Sequence, residues 1–161
     1  MTETEMKLRD AARQMIILIE SGKDDESVRS CLNAFISHGR SVTFVMQSES
    51  SDNSKLQQWY DERQAELKRD PLMRFFNEKR VHTIHRGVIA PKKKTFPIWD
   101  LKINGIPQIG KGTMTVLSFD GVDEYLPGHT ANMYVLCEKY YIKLKALVHE
   151  WLKARAEFGL T

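Results

Sequence analysis

The chain has 161 residues, with 24 Lys and Arg against 21 Asp and Glu, a length that suits one domain around one core. Its 42% hydrophobic and 28% charged residues argue against a wholly disordered chain. No apolar run approaches the ~18 residues of a membrane span, and a net charge of +3 does not by itself announce a nucleic-acid partner.

The first 86 residues read as helical. Leu8, Ala12, Met15 and Ile19 recur on one face of a first helix, and Ile16, Ile17 and Leu18 widen that face, predicting a helix flanked on more than one side. Ser21-Gly22 ends it, since glycine adopts the left-handed turn after a helix without strain. Asp24-Asp25-Glu26-Ser27 then offers carboxylates and cap formers to a new N-terminus. The second helix carries Val28, Cys31, Leu32, Phe35, Val42, Val45 and Met46. Gly39 interrupts this stripe, either to admit a neighbouring helix or as a tolerated residue.

A polar stretch, Ser48 to Ser54, precedes a third helix from about Lys55 to Arg69, with Leu56, Trp59, Tyr60 and Leu67 as its buried residues. Asp70-Pro71 starts the fourth, because Asp suits the cap and proline at the first position forfeits no hydrogen bond. That helix runs to about Arg86 and presents Leu72, Phe75, Phe76 and Ile84 to the core.

The character changes at Val88. Residues Val88 to Gly128 hold four of the five prolines, with β-type runs at Ile98–Ile103 and Thr113–Phe119. They predict a small hairpin-like insertion packed against the helices. The last helix spans about Thr130 to Phe158, where Met133, Cys137, Tyr140, Leu144, Leu147, Trp151, Ala154 and Phe158 step alternately by four and three. Such a stripe serves a bundle core or meets a second subunit. The expected architecture is mainly all-α, a single domain over 1–161. It is an up-and-down bundle of about five helices with 88–128 as a β-hairpin-like insertion before the last one.

The N-terminus lacks the basic-then-apolar layout of a signal peptide, so a cytoplasmic protein with reduced Cys31 and Cys137 is expected. Their helix offers His82 and His85 a single carboxylate, Glu78, and the two cysteines sit among apolar residues, so neither a metal site nor a cofactor is expected.

Chemistry concentrates at the end of the fourth helix, in Arg80-Val81-His82-Thr83-Ile84-His85-Arg86. A histidine exchanges a proton near neutral pH, and an arginine holds phosphate through paired NH donors. These are the groups that phosphodiester cleavage needs without a metal. A helical bundle with an Arg–His pair, four residues between, near the end of its penultimate long helix resembles the HEPN (higher eukaryotes and prokaryotes nucleotide-binding) superfamily. The resemblance covers the helical parts and not residues 88–128. Val81 stands where a polar residue, often Asn, directly follows the arginine in that superfamily.

The resemblance implies a homodimer that brings two motifs together, and RNA binding or metal-independent endoribonuclease activity, as in toxin–antitoxin or defence systems. Arg80 and His85 would be its catalytic pair. His85 would move a proton between the ribose 2′-OH or the leaving oxygen and itself, while Arg80 would offset charge on the phosphorane. His82, Arg86, Lys92, Lys93, Lys94 and Arg40 would contact the nucleic acid. The other readings are a non-catalytic interaction module with a cognate protein partner, and a ligand-binding bundle with Trp59, Trp99 and Tyr140 around a pocket. The charge distribution points to the same place: Lys79 to Lys94 carries six cations and no carboxylate, so the rest of the chain sums to −3.

Overall fold

The helices begin where a side chain can accept hydrogen bonds from otherwise unpaired amides. A computed structural model describes residues 1–20, 24–85, 87, 89–98, 101–103, 106–108 and 112–160, with backbone alone at 83–85, 96–98, 101–103, 106–108 and 112–114. Helix α1 is Glu3–Glu20, α2 Asp25–Ser50, α3 Ser54–Arg69 and α4 Pro71–His85. Asp24 caps α2 through the Ser27 amide at 2.9 Å, and Asn53 accepts from the Lys55 and Leu56 amides of α3. Asp70 accepts from the Leu72 and Met73 amides of α4. The first amides of α1 find an acceptor across the bundle: Glu49 of α2 takes bonds from Glu3, Thr4 and the Thr4 hydroxyl.

After α4 come strands β1 (Lys92–Ile98), β2 (Leu101–Ile103), β3 (Ile106–Gln108) and β4 (Gly112–Ser118). β1 pairs antiparallel with β4, from Lys92 opposite Ser118 to Ile98 opposite Gly112, and β2 pairs with β3. A one-turn helix α5 (Val122–Tyr125) then leads to α6 (Met133–Glu157), capped by Asn132. The molecule is therefore mainly helical, with an antiparallel hairpin before its last helix.

Two expectations are corrected. The first strand lies earlier than Ile98–Ile103, because Lys92-Lys93-Lys94 and Pro97 read locally as loop. In a two-stranded ribbon both strands are edges, where lysines and a proline are tolerated. On α1 the buried residues are Thr4, Ala11 and Leu18, with Leu8 and Met15 partly buried beside them. Ile16, Ile17 and Ile19 are exposed, Ile19 by 57%, so they do not widen the buried face, although α1 packs against both α2 and α6. Ser21-Gly22, Asn104-Gly105, Gly110-Lys111, Val88, Trp99 and Arg86 lie outside the described residues.

The predicted stripe of α6 is core. Met133, Cys137, Tyr140, Leu144, Leu147, Trp151 and Ala154 are all buried within this chain, and each large apolar side chain so placed contributes about 1.5–3 kcal/mol. Burial raises the Cys137 thiol far above its ordinary pKa, so it is an inert, protonated packing group. The Trp151 indole NH donates to the Ser50 hydroxyl at 3.0 Å, locking α6 to the end of α2. Residues Phe119, Val122 and Leu126 bring the segment after the hairpin into the same core.

Gly39 resolves in favour of close approach. A Cβ there would lie 2.6 Å from Cε1 of Tyr140 and 3.3 Å from Cδ1 of Leu144, so only glycine lets α2 and α6 meet at this depth. The Tyr140 ring is then stacked on Phe76, with centroids 4.2 Å apart and an 8° interplanar angle, and meets Phe35 edge-on at 6.0 Å. This aromatic layer joins α2, α4 and α6, and its Tyr140 lines the cavity described below.

Candidate functional site

The last turns of α4 carry the residues that the sequence singles out. Lys79 lies over the Phe75 ring at 4.9 Å and donates to the Asp120 carbonyl at 2.7 Å, tying α4 to the segment after β4. Burial holds the Lys79 ammonium below its ordinary pKa. Arg80 is half-buried, and its Nε is buried with no hydrogen-bond partner among the described residues. Nor does Arg80 form an ion pair with any described carboxylate. His82 is exposed, and so is Val81, by 48%. His85 closes the helix. Its side chain lies outside the described residues, as does Arg86. Beyond the helix, the Asn33 side chain clamps the backbone of Ile89, accepting from its NH at 3.0 Å and donating to its carbonyl at 2.8 Å.

The lysine run is placed differently from its sequence reading. Lys92 pairs with Asp120 at 2.9 Å, Lys93 with Asp25 at 3.7 Å, and Lys94 with Asp123. Lys92 in turn holds the Asp120 carboxyl below its usual range. Three cations that look like one basic patch in the sequence each acquire a carboxylate from a distant part of the chain. Exposed pairs of this kind contribute little stability, but they cancel the local field and fix β1 against the start of α2 and the turn before α6.

Arg40 lies on a cavity of about 280 Å³ between α2, α3, α4 and α6, whose described lining does not include Arg80. From α2 come Arg40 and Thr43, and from α3 Tyr60, Gln64, Leu67 and Lys68. Helix α4 adds Met73, Arg74, Asn77 and Glu78, and α6 adds Tyr140. The Arg40 guanidinium donates to the Thr43 hydroxyl, and the Tyr60 hydroxyl donates to the Thr43 carbonyl at 2.7 Å. Lys68 donates to Gln64 at 3.0 Å. Among the described residues, neither Arg40, Lys68 nor Arg74 is in an ion pair. Trp59 packs partly buried against the core, with Arg63 over its ring at 5.5 Å, and does not line the cavity. Asp61 and Glu62 accept from Gln57 and Gln58 along α3.

Lys68 and Arg74 were not legible as site residues. Gln64, Leu67 and Lys68 share a face at spacings of three and four, as do Arg74, Asn77 and Glu78. Each set reads alone as an ordinary solvated face. Only the packing of α3 against α4 turns the two faces toward one cavity.

A family model described as bacteriophage lambda protein ea47 matches residues 1–90, which hold α1 to α4, every described residue lining this cavity apart from Tyr140, and also the Arg80–His85 pair. The chain belongs to the bacteriophage lambda protein ea47 family. The ea47 match ends just before β1, so the hairpin and α6 lie beyond it. No curated protein and no solved structure matches the chain.

Proposed function

We propose that this ea47-family chain is an HEPN-like protein that binds RNA at the last turns of α4, with metal-independent cleavage by the Arg80–His85 pair as its activity. The observation that supports this reading is the state of Arg80. An arginine held for structure alone ends in an ion pair or a saturated hydrogen-bond fork, because a buried unpaired donor costs about 1–3 kcal/mol. Arg80 has neither among the described residues, and its Nε is buried. A phosphate oxygen is the partner that such a fork fits. His82 stands exposed two positions away, and Asn33 and Lys79 hold the flanking backbone from both sides.

In this reading His85 exchanges the proton of the attacking 2′-OH or the leaving 5′-oxygen, and Arg80 stabilises the pentavalent phosphorane. Dimerisation would bring two such motifs together. The test is incubation of the protein with RNA in EDTA, beside Arg80→Ala and His85→Ala. Cleavage by the wild type that falls at least about a hundredfold in both variants supports the pair, in line with removal of an acid–base group. No cleavage, or equal cleavage by all three, removes catalysis. RNA binding unchanged in Arg80→Ala removes the site altogether.

A further inference from the structure

The cavity between α2, α3, α4 and α6 carries a second inference, independent of the Arg80 reading. Three cations, Arg40, Lys68 and Arg74, meet there against one carboxylate, Glu78, a local balance of +2. Like charges gathered without counter-ions repel, and an ordinary surface relieves this by interspersing carboxylates, as happens at Lys92–Lys94. A second, separate observation lies on the opposite wall. Tyr140 is only 4% exposed as a residue, but it lines the cavity, and its hydroxyl opens onto it without a hydrogen bond to the described residues. The other phenol there, Tyr60, is bonded to the Thr43 carbonyl. The Tyr140 hydroxyl and the Arg40 guanidinium, which is in no ion pair among the described residues, border the same cavity of about 280 Å³.

We infer that this cavity binds a small phosphomonoester, with the phosphate between Arg40, Arg74 and the Tyr140 hydroxyl and an apolar portion against Leu67 and Met73. A phosphomonoester carries about −1.5 to −2 charges at neutral pH, which matches the +2 of the lining. Arginine's planar fork suits phosphate oxygens. Burial pushes the Tyr140 phenol well above its ordinary pKa, with Arg40 opposing, so it stays a protonated donor throughout the working range. Gly39 has a part in this: a side chain there would displace the Tyr140 ring from its seat on Phe76. The same chemistry could arrive as a free metabolite or as the terminal phosphate of an RNA strand.

Calorimetric titration of the full chain with phenyl phosphate tests the proposal, with benzenesulfonate and phenol as the monoanionic and neutral counterparts. Saturable binding of phenyl phosphate is expected, with weaker binding of benzenesulfonate and none of phenol. Lowering the pH from 7 to 5 should weaken it, because the ligand loses its second charge near pH ~6. Arg40→Met and Arg74→Gln should each reduce affinity about tenfold or more, and Tyr140→Phe about fivefold. Arg74 is exposed, so its variant folds even if a change at Arg40 perturbs α2; circular dichroism checks both. Lys93→Gln should bind as the wild type does. A 5′-phosphorylated oligonucleotide that competes where its 5′-hydroxyl counterpart does not assigns the RNA source, and failure to compete assigns a free metabolite. The inference is overturned by the absence of saturable binding, by equal binding of benzenesulfonate, or by undiminished binding to Arg74→Gln. Since Arg80 is not among the described residues that line the cavity, loss of RNA cleavage in Arg80→Ala leaves this outcome untouched.

Discussion

Two groups of three cations, one on β1 and one around the bundle cavity, have opposite fates in this fold. Lys92, Lys93 and Lys94 are adjacent in sequence, and each ends beside an aspartate. Arg40, Lys68 and Arg74 are scattered over three helices and converge with one glutamate and no ion pair among the described residues. A charge run on an exposed ribbon can draw aspartates from whatever chain packs beside it. Cations on packed helices cannot: the helix faces opposite them are fixed by the core, and those faces supply Tyr60, Tyr140, Gln64 and Asn77. Adjacency in sequence therefore measures local charge, whereas uncompensated charge is a property of the packed bundle.

If the bundle wall is rigid and the ribbon is soft, substitutions in the two regions should differ by several kcal/mol. The largest effect belongs to Phe76→Ala, which removes the ring beneath Tyr140 and should cost about 3–5 kcal/mol in chemical denaturation. A loss under about 1 kcal/mol would mean that the aromatic layer is not a rigid wall. Gly39→Ala comes next. Overpacking of about 1–3 kcal/mol exceeds the ~1 kcal/mol that alanine gains in helix propensity, so a net loss is expected, together with weaker phenyl phosphate binding. A more stable variant would show that Tyr140 yields easily.

Asp70 is third, because it caps α4 and pairs with Lys143 of α6. Asp70→Ala should cost about 1–2 kcal/mol at neutral pH. Burial works against the charged form, but Lys143 and the amides of Met73 and Leu72 hold the carboxyl below its usual value. Its contribution is therefore full above the unfolded value, ~3.9, and is lost as pH falls through the lower folded value. The difference in stability between wild type and Asp70→Asn should accordingly narrow below pH ~4; a constant gap would assign the role to the cap alone.

The smallest effects sharpen the contrast most. Lys92→Gln or Lys93→Gln should leave the melting temperature unmoved, since exposed pairs contribute little. Arg74→Gln should leave stability unchanged or raise it by up to ~0.5 kcal/mol, because it relieves repulsion in the ligand-free cavity. Its gain should reverse in the presence of phenyl phosphate. A destabilised Arg74→Gln without ligand would indicate that the cavity cations are compensated after all.

Much of the helical scaffold could be read from residue patterns. Asp24, Asp70-Pro71 and the alternating stripe of α6 announced where helices start and which face is buried. On α1 the pattern was ambiguous: Met15 to Ile19 is apolar all round, and only docking on α2 and α6 selected Thr4, Ala11 and Leu18 over the stripe through Ile19. The candidate chemistry was legible as residue types but not as partnerships. Arg40 was legible as a candidate residue, but nothing in the chain before folding relates it to Arg74 and Tyr140, with which it lines the cavity.

By itself the sequence determined the local terms: caps, helix periodicity, the change of character at Val88 and the basic segment from Lys79 to Lys94. Those depend on neighbours within one or two turns, which the chain specifies directly. The tertiary structure decided which charges are cancelled, how deep Tyr140 sits beneath Gly39, and that four helices line one open cationic cavity. These outcomes depend on distances between residues up to 100 positions apart, from Arg40 to Tyr140, and only the packing of complete faces sets such distances.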